Sequence, residues 1–400
     1  MIARLTGPTS FAPRIALFYV AVFSVVGIYL PFFPLWLETR ALTPTQIGIV
    51  LAVPMAVRAL ITPFMVTMGD RARDRRGITV RYAASAFVLL GLLFLASGFW
   101  QILAVVVVVA VFWDALIPLG DAIALSGVRK FGMDYGQIRL WGSVAFVAAN
   151  IVAGALVSAL TGSVVLPVLF LAYGCVVVSS LLLPASKINT EATDADTPAT
   201  PAGAKSGLSA YAFRHPVLLL SLAIGALSQA SHAMIYGFGS LYWQQAGFSG
   251  LEIGVLWAAG VLAEVVLFAV SKPVLRRFGP SGLLAAGSVA VVLRWVLFPV
   301  HWSFAGYFVL QILHGATFGA AHLGVMHTIS RAVPDAQTGR AQATYFFISG
   351  ILMAFVTAIS GQIFVRYGVG GFAFMALFGV LGLVLWALMR SLSRRAELSP

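Results

Sequence analysis

The sequence predicts an all-α multi-spanning membrane protein with twelve transmembrane helices in two six-helix bundles. Apolar residues make up 60% of the 400 residues and charged residues only 10%, and the mean hydropathy is +0.97. Soluble globular chains carry roughly 45–50% apolar and about 25% charged residues, so a soluble enzyme is excluded. Twelve crossings of about 20 residues each use about 240 residues, the size of the apolar fraction. The apolar runs are continuous rather than alternating, which disfavours a porin-type barrel.

Six apolar runs in the first half of the chain are each long enough for one crossing. They are Pro13–Leu37, Gln46–Met68, Val80–Phe99, Ile102–Leu125, Ile138–Leu160 and Val164–Leu183. The first run follows basic residues, and it is too long and too aromatic for a cleaved signal peptide. We therefore interpret it as the first helix of the protein.

Six further runs follow in the second half. They are Pro216–Trp243, Ile253–Val274, Gly282–Val300, Phe304–Ile329, Arg340–Val365 and Gly370–Met389. Between the two sets lies a polar stretch at 185–214, rich in Thr, Ala, Pro, Asp and Gly, which is typical of a flexible linker. The sequence therefore predicts an N-terminal bundle at 1–184, a cytoplasmic linker at 185–214 and a C-terminal bundle at 215–400.

The distribution of Lys and Arg predicts the orientation. With the N-terminus in the cytoplasm, 21 of the 25 basic residues fall on the cytoplasmic side. Arg40 and Arg366 fall on the other side, and Arg58 and Arg294 fall inside the membrane. The positive-inside rule then places both termini in the cytoplasm, in a cell inner membrane. The net charge of +12 is explained by topology and anionic lipids, and we expect no nucleic acid partner.

Two basic loops occupy the same place in the two halves. Met68–Gly77 follows span two, and Ser271–Gly282 follows span eight. Such a correspondence indicates an internal duplication, as in transporters whose halves rock about a site at mid-membrane.

Few ionisable residues lie within the spans, and each is costly there unless it has a partner or faces a cavity. They are Arg58, Asp114, Asp121, His232, Glu264, Arg294, His314 and His322. Asp114 and Asp121 are seven residues apart and share one face of span four. Arg58 lies near mid-depth, and Asp114 is its natural partner. Arg58 is either an anion-binding group, since its guanidinium can donate two parallel hydrogen bonds to a planar carboxylate, or a counter-ion that only neutralises Asp114.

The twelve spans are divided six and six, and a basic Gly-Asp-Arg loop follows span two. In both features the chain resembles the major facilitator superfamily. In its loop pattern Asp70, Arg71 and Arg75 match, whereas Val66 and Arg73 replace the usual glycines. The segment DYGQIRLWGSVAFV, together with LPFFPLWL, VRALITPFM and HGATFGAAH, resembles the 3-phenylpropionate transporter-like branch, which is related to lactose permease. The resemblance implies the major facilitator fold and a cytoplasmic gate at Asp70, Arg71 and Arg75.

The resemblance to lactose permease also implies site residues in the first half. Lactose permease binds substrate with a carboxylate near the end of span four and an Arg that opens span five. Asp121 and Arg139 match these positions with the same separation of 18 residues. They are therefore predicted to bind substrate together with Arg58, Asp114 and Gln311. The alternative for Asp121 and Arg139 is a salt bridge at the cytoplasmic rim.

In the second half, lactose permease carries its proton on an acid, an Arg and a His from spans eight, nine and ten. Arg294 and His314 reproduce the separation of 20 residues. Glu264 lies about one turn from the matching position, and Thr317 replaces a carboxylate. Burial favours a protonated carboxyl and a nearby Arg favours an ionised one, which suits a reversible carrier. Glu264, Arg294, His314 and His322 are the predicted proton-coupling residues, and His232 is interpreted as a hydrogen-bonded core residue.

These observations predict a proton-coupled symporter of a small, aromatic carboxylate that works by alternating access. A sugar or nucleoside symporter and a drug/proton antiporter remain alternatives. Phe146 stands where lactose permease stacks a Trp on sugar, which disfavours a sugar, and two membrane arginines disfavour cationic substrates. The sequence shows no selectivity ring, which would indicate a channel. It also shows no nucleophile–base constellation, which would indicate an enzyme.

No cofactor or metal is expected. The single cysteine, Cys175, excludes an intramolecular disulfide and a cysteine-built metal site. We expect a monomer in the bilayer, with substrate and proton as its ligands.

Overall fold

The computed structural model describes residues 8–71, 74–184 and 215–398. Seven helices form in the part that precedes residue 185. They are α1 (Pro8–Thr39), α2 (Pro44–Arg71), α3 (Arg75–Gly91), α4 (Phe99–Trp113), α5 (Leu116–Phe131), α6 (Tyr135–Leu160) and α7 (Val165–Leu181). Asp134 begins α6 as its N-cap, and its side chain accepts a hydrogen bond from the Gln137 amide at 3.2 Å.

Eight helices follow from residue 216. They are α8 (Pro216–Ala230), α9 (Ala233–Gln245), α10 (Gly250–Ala269), α11 (Ser271–Leu297), α12 (Phe304–Ile312), α13 (Ala321–Ala332), α14 (Asp335–Tyr367) and α15 (Ala376–Leu398). A six-residue π-helical turn, Gly315–Ala320, joins α12 to α13.

Eleven stretches of helix in the described residues are long and apolar enough to cross a membrane. The last of them, Gln337–Arg394, has 58 residues. A helix of that length would measure about 87 Å, whereas the hydrocarbon core is about 30 Å thick. The chain is interrupted there by the 3₁₀ segment Gly368–Met375, which Gly368 opens with a φ of 54°. This stretch therefore accounts for two crossings, and the predicted fold of twelve membrane helices is confirmed.

Several predicted spans are interrupted in the structure. Span four breaks at Asp114, between α4 and α5. Pro118 explains the break, because it has no N–H to donate to the carbonyl of Asp114 four residues earlier. Span seven breaks at Ser231 and His232, and α11 is kinked at Gly279, which has a φ of 64° and a ψ of 171°. Span three was predicted to reach Phe99, but Phe99 begins α4 because Gly98 is the extended residue before it.

The chain forms two compact units. The first contains Met1–Thr197 and Ser240–Ala258, and the second contains Pro198–Gly239 and Ala259–Pro400. Two of the three unit boundaries therefore lie inside α9 and α10, the third falls outside the described residues, and the domain boundaries at 184 and 215 stay a prediction. In the first unit α1 packs against α6 and α7. In the second unit α8 and α11 pack against α15.

Candidate substrate and proton site

In the first unit the break in span four carries an ion pair. Asp114 is the C-cap of α4, and its Oδ1 lies 3.8 Å from Nη1 of Arg58 on α2. The Asp114 side chain is 15% exposed and that of Arg58 is 50% exposed. The predicted partnership of Arg58 and Asp114 is therefore present, and half of the Arg58 side chain is accessible to another ligand.

A second group in the first unit surrounds Asp121. Tyr19 on α1 donates its hydroxyl to Asp121 Oδ1 at 2.5 Å, and Tyr135 donates to the same oxygen at 3.0 Å. The Arg139 guanidinium lies 3.9 Å from the ring centre of Phe23 and 5.1 Å from that of Tyr19. Tyr19 therefore joins Asp121 to Arg139, since it holds the carboxylate with its hydroxyl and the cation with its ring face.

The second unit holds a buried cluster around Arg294, which is 1% exposed. Nη2 of Arg294 donates to Gln311 Oε1 at 2.6 Å. Nη1 donates to His314 Nδ1 at 3.2 Å and to the Thr317 hydroxyl at 3.1 Å. Thr317 in turn lies 2.9 Å from His232 Nε2. The structure therefore places Gln311, predicted to bind substrate, beside residues predicted to couple the proton.

The hydrogen-bond partners assign the imidazole protons. His232 Nδ1 lies 2.9 Å from the Ser228 carbonyl, so Nδ1 carries the proton and Nε2 accepts from Thr317. His314 Nδ1 accepts from Arg294, so its remaining proton is on Nε2. A second proton on His314 would set an N–H against the N–H of Arg294. His314 can therefore gain a proton only if Arg294 moves away.

Glu264 on α10 ends this chain of contacts. Its Oε2 lies 3.9 Å from His314 Nε2. This is too long for a hydrogen bond, and the nitrogen belongs to a neutral imidazole. The Glu264 side chain is 20% exposed, whereas that of His314 is 11% exposed. Glu264 is therefore the more exposed group at the edge of the cluster, and Arg294 is the buried cation at its centre.

The remaining predicted residues lie apart from these contacts or outside the described part. His322 packs among aromatic rings, with centroids at 6.3 Å from those of Phe318, Phe268 and Tyr345. Asp70 and Arg71 end α2, but their side chains lie outside the described residues. Arg75 opens α3, and the next residue, Arg76, donates to the carbonyl of Leu181 at the end of α7.

Sequence reasoning missed the neutral members of both groups. Tyr19, Phe23 and Tyr135 appear in the sequence only as aromatic residues near the ends of spans. Their contacts join segments far apart in the chain, such as Tyr19 and Asp121, which are 102 residues apart. His232 and Thr317 also belong to the Arg294 cluster. The helix break beside His232 is a local feature of the structure, but no proline in the sequence predicts it.

A helical membrane protein with twelve crossings and buried charged groups within its spans has the features of a secondary transporter. The chain belongs to the MFS_1 like family, a group of the major facilitator superfamily, whose sequence model matches residues 13–376. The predicted major facilitator membership and the prediction of secondary transport are thereby confirmed.

Named relatives cover nearly the whole chain. It is 33% identical over 370 residues to a probable 3-phenylpropionic acid transporter of Escherichia coli strain K12, covering 91% of this chain and 94% of the relative. It is 27% identical to a maltose permease of Geobacillus stearothermophilus, with 93% of each chain covered. The crystal structure of the nucleoside transporter NupG has the same fold, with a TM-score of 0.80 at 15% identity, and the match covers 96% of this chain and 98% of that one.

Proposed function

We propose that this chain is a proton-coupled symporter of a small aromatic carboxylate, such as a phenyl-substituted propionic acid. The observation that carries the proposal is the position of Arg139 over Phe23, beside Tyr19 and Asp121. A guanidinium binds a carboxylate through two parallel hydrogen bonds. Aromatic rings around it offer offset or edge contacts to a phenyl group. One short ligand can use both features at once.

The second unit supplies the proposed proton site. Arg294 occupies the Nδ1 lone pair of His314 in this arrangement, so Glu264 is the group that takes the proton. Ionised Glu264 attracts the N–H of His314 Nε2, and protonation of Glu264 removes this attraction. Proton occupancy and the arrangement of the cluster are therefore coupled.

The substrate proposal predicts that 3-phenylpropionate binds and that its uncharged amide does not. Leaving one member of a desolvated charged pair unpartnered costs about 3–5 kcal/mol, or at least a hundredfold in affinity. Purified protein is titrated with both compounds by calorimetry. Arg139→Gln should weaken binding of the acid to the level of the amide, whereas Arg366→Gln, which removes an exposed cation, should leave it unchanged.

The same titration tests the alternatives. The likeness to a maltose permease supports a sugar symporter as the second candidate. Equal binding of acid and amide, together with binding of maltose or a nucleoside, would favour that reading. Binding of apolar cations in place of both would favour a drug/proton antiporter.

We further propose that the chain acts as a monomer in a bacterial inner membrane, with both termini and the 185–214 linker in the cytoplasm. The excess of basic residues on one side supports this orientation. Single cysteines in a Cys175→Ser background test it in inverted and right-side-out vesicles. Ser206→Cys should react with a membrane-impermeant maleimide from the cytoplasmic side, and Ser163→Cys from the opposite side. The reverse pattern would overturn the orientation.

A further inference from the structure

An open cavity lies on the surface of the second unit. It is an apolar groove of about 660 Å³ between α10, α11 and α12, within the size range of ligand sites. Its walls include Leu262 and Val266 of α10, Ala286 of α11, and Phe308 and Ile312 of α12. Leu262 is 50% exposed and Val266 is 62% exposed. Large aliphatic side chains therefore form an open, hydrocarbon-like surface.

The groove opens on the face of α10 that turns away from Glu264. Leu262 and Val266 each lie two residues from Glu264, which is about 200° around an α-helix. The groove walls contain hardly any polar surface, so they offer nothing to hold a carboxylate or a sugar. Leu262 and Val266 thus turn away from Glu264, whereas Leu267, which also lines the groove, lies on the same side of α10 as Glu264.

One end of the groove is next to a cation. The first turns of α11 precede the kink at Gly279, and their residues Val274 and Phe278 line the groove. Arg277 is exposed just before Phe278, and its guanidinium lies 5.9 Å from the centre of the Phe278 ring. The sequence has no acidic residue between Glu264 and Asp335 to neutralise it. An apolar slot with a cationic end complements one acyl chain with an anionic headgroup.

The floor of the groove is the seam between α10 and the π-helical turn. Glu264 and His314 of the proposed proton site lie along this seam. Ala263 and Gly315, the neighbours of Glu264 and His314 in the chain, both line the groove. The two backbones pack closely, since a Cβ on Gly315 would lie 2.9 Å from the Ala263 carbonyl oxygen. Small residues of both elements, Ala263, Gly315 and Ala316, line the groove at this seam, so an acyl chain in the groove would pack on it.

We propose that this groove is a binding site for one anionic phospholipid. The headgroup binds Arg277, and one acyl chain lies along Leu262, Val266 and Ile312. The lipid completes the packing between α10 and the π-helical turn, and thereby stabilises the turns that present Glu264 and His314.

The test uses purified protein in detergent, titrated with phosphatidylglycerol or phosphatidylcholine, and counts bound lipid by native mass spectrometry. Each basic residue near an anionic headgroup contributes about a factor of five. Arg277→Gln should therefore weaken phosphatidylglycerol binding about fivefold. The matched control is Lys130→Gln, a basic residue that likewise precedes a phenylalanine, with its Nζ 5.3 Å from the Phe131 ring centre.

A second pair of variants tests the slot itself. Ala286→Phe fills the groove from an exposed position, whereas Val289→Phe places the same aromatic side chain on exposed surface of α11 outside it. We expect one tightly retained phosphatidylglycerol in the wild type and in Val289→Phe, and its loss in Ala286→Phe.

Four results would overturn the proposal. They are equal retention in all variants, equal binding of phosphatidylcholine, displacement of the lipid by the transported substrate, and a dimer that Ala286→Phe dissociates. The last two would assign the groove to substrate or to a second copy of the chain.

Discussion

Thr317 shows how one hydroxyl can join two buried basic groups. It accepts from Arg294 and donates to His232, and these two bonds measure 3.1 and 2.9 Å. A carboxylate at this position, as the resemblance to lactose permease led us to consider, would instead form an ion pair with Arg294. Because the Thr317 hydroxyl is neutral, it does not compensate the charge of Arg294. The acid that balances Arg294 therefore has to come from another helix, and Glu264 on α10 is the candidate.

Glu264→Gln tests that role at the scale of one residue. Glutamine has the size of glutamate but cannot gain or lose a proton at pH 7. We expect the variant to lose uphill, gradient-driven accumulation and to keep substrate exchange, because exchange needs no proton release. Both are measured in proteoliposomes, with an imposed pH gradient for accumulation and with counterflow for exchange.

Asp114→Asn is the matched control, since it removes a carboxylate that pairs with Arg58 in the first unit. We expect it to affect binding and to keep exchange and accumulation in step. If Asp114→Asn separates exchange from accumulation and Glu264→Gln does not, the proton carrier lies in the first unit. Wild-type accumulation by both variants would exclude a buried carboxylate as the carrier.

At the scale of the helices, several polar residues of the candidate sites lie where a helix is broken. Asp114 lies at the break before α5, His232 at the break between α8 and α9, and Thr317 inside the π-helical turn. A broken helix exposes backbone groups that need partners, and such groups are tolerated in a membrane only within protein or beside a cavity. π-Helical turns are frequent at functional sites for the same reason. The breaks therefore mark the polar interior of each unit.

Close packing between helices gives a prediction about stability. Gly225 on α8 has no room for a side chain, since a Cβ there would lie 2.3 Å from Cγ2 of Val325 and 2.9 Å from Cε2 of Tyr345. Gly225→Ala forces α13 and α14 to shift, and overpacking of this kind typically costs 1–3 kcal/mol. We expect a lower midpoint of thermal unfolding for the purified protein.

Gly339→Ala is the control for this substitution. Gly339 lies in α14 with nothing within 4 Å of its added Cβ. Alanine favours a helix over glycine by about 1 kcal/mol, so this variant should be as stable as the wild type or more stable. A similar loss of stability in both variants would contradict the steric explanation.

At the scale of the whole molecule, the predicted gate at Asp70, Arg71 and Arg75 concerns the change between conformations. A residue that acts only in this change alters rates and leaves binding in each state intact. We expect Asp70→Asn to slow transport in proteoliposomes several-fold while substrate affinity, measured by calorimetry, stays near that of the wild type.

Asp74→Asn is a suitable control for the gate, because Asp74 is exposed in the same loop and its side chain makes no capping hydrogen bond to α3. It should transport at the rate of the wild type. Loss of substrate binding in folded Asp70→Asn protein would show that Asp70 belongs to the binding site instead.

The sequence by itself determined the membrane fold, the number of crossings and the ionisable residues worth considering. These follow from local properties, because hydropathy over about 20 residues decides whether a segment leaves water. The break at Asp114 also has a cause in the local sequence, since Pro118 removes a specific backbone hydrogen bond. The separation of Arg294 and His314 was informative because the two residues do meet, although His314 lies between the end of α12 and the π-helical turn.

Only the tertiary structure decided which side chains meet. Tyr19 reaches Asp121 across 102 residues, and His232 reaches Thr317 across 85. Such contacts depend on the rotation and crossing angle of each helix, which packing sets and local sequence does not. The π-helical turn adds to this, because it changes the direction of every side chain that follows it. The sequence therefore named the charged groups of the site, and the packing of the helices chose the neutral residues that connect them.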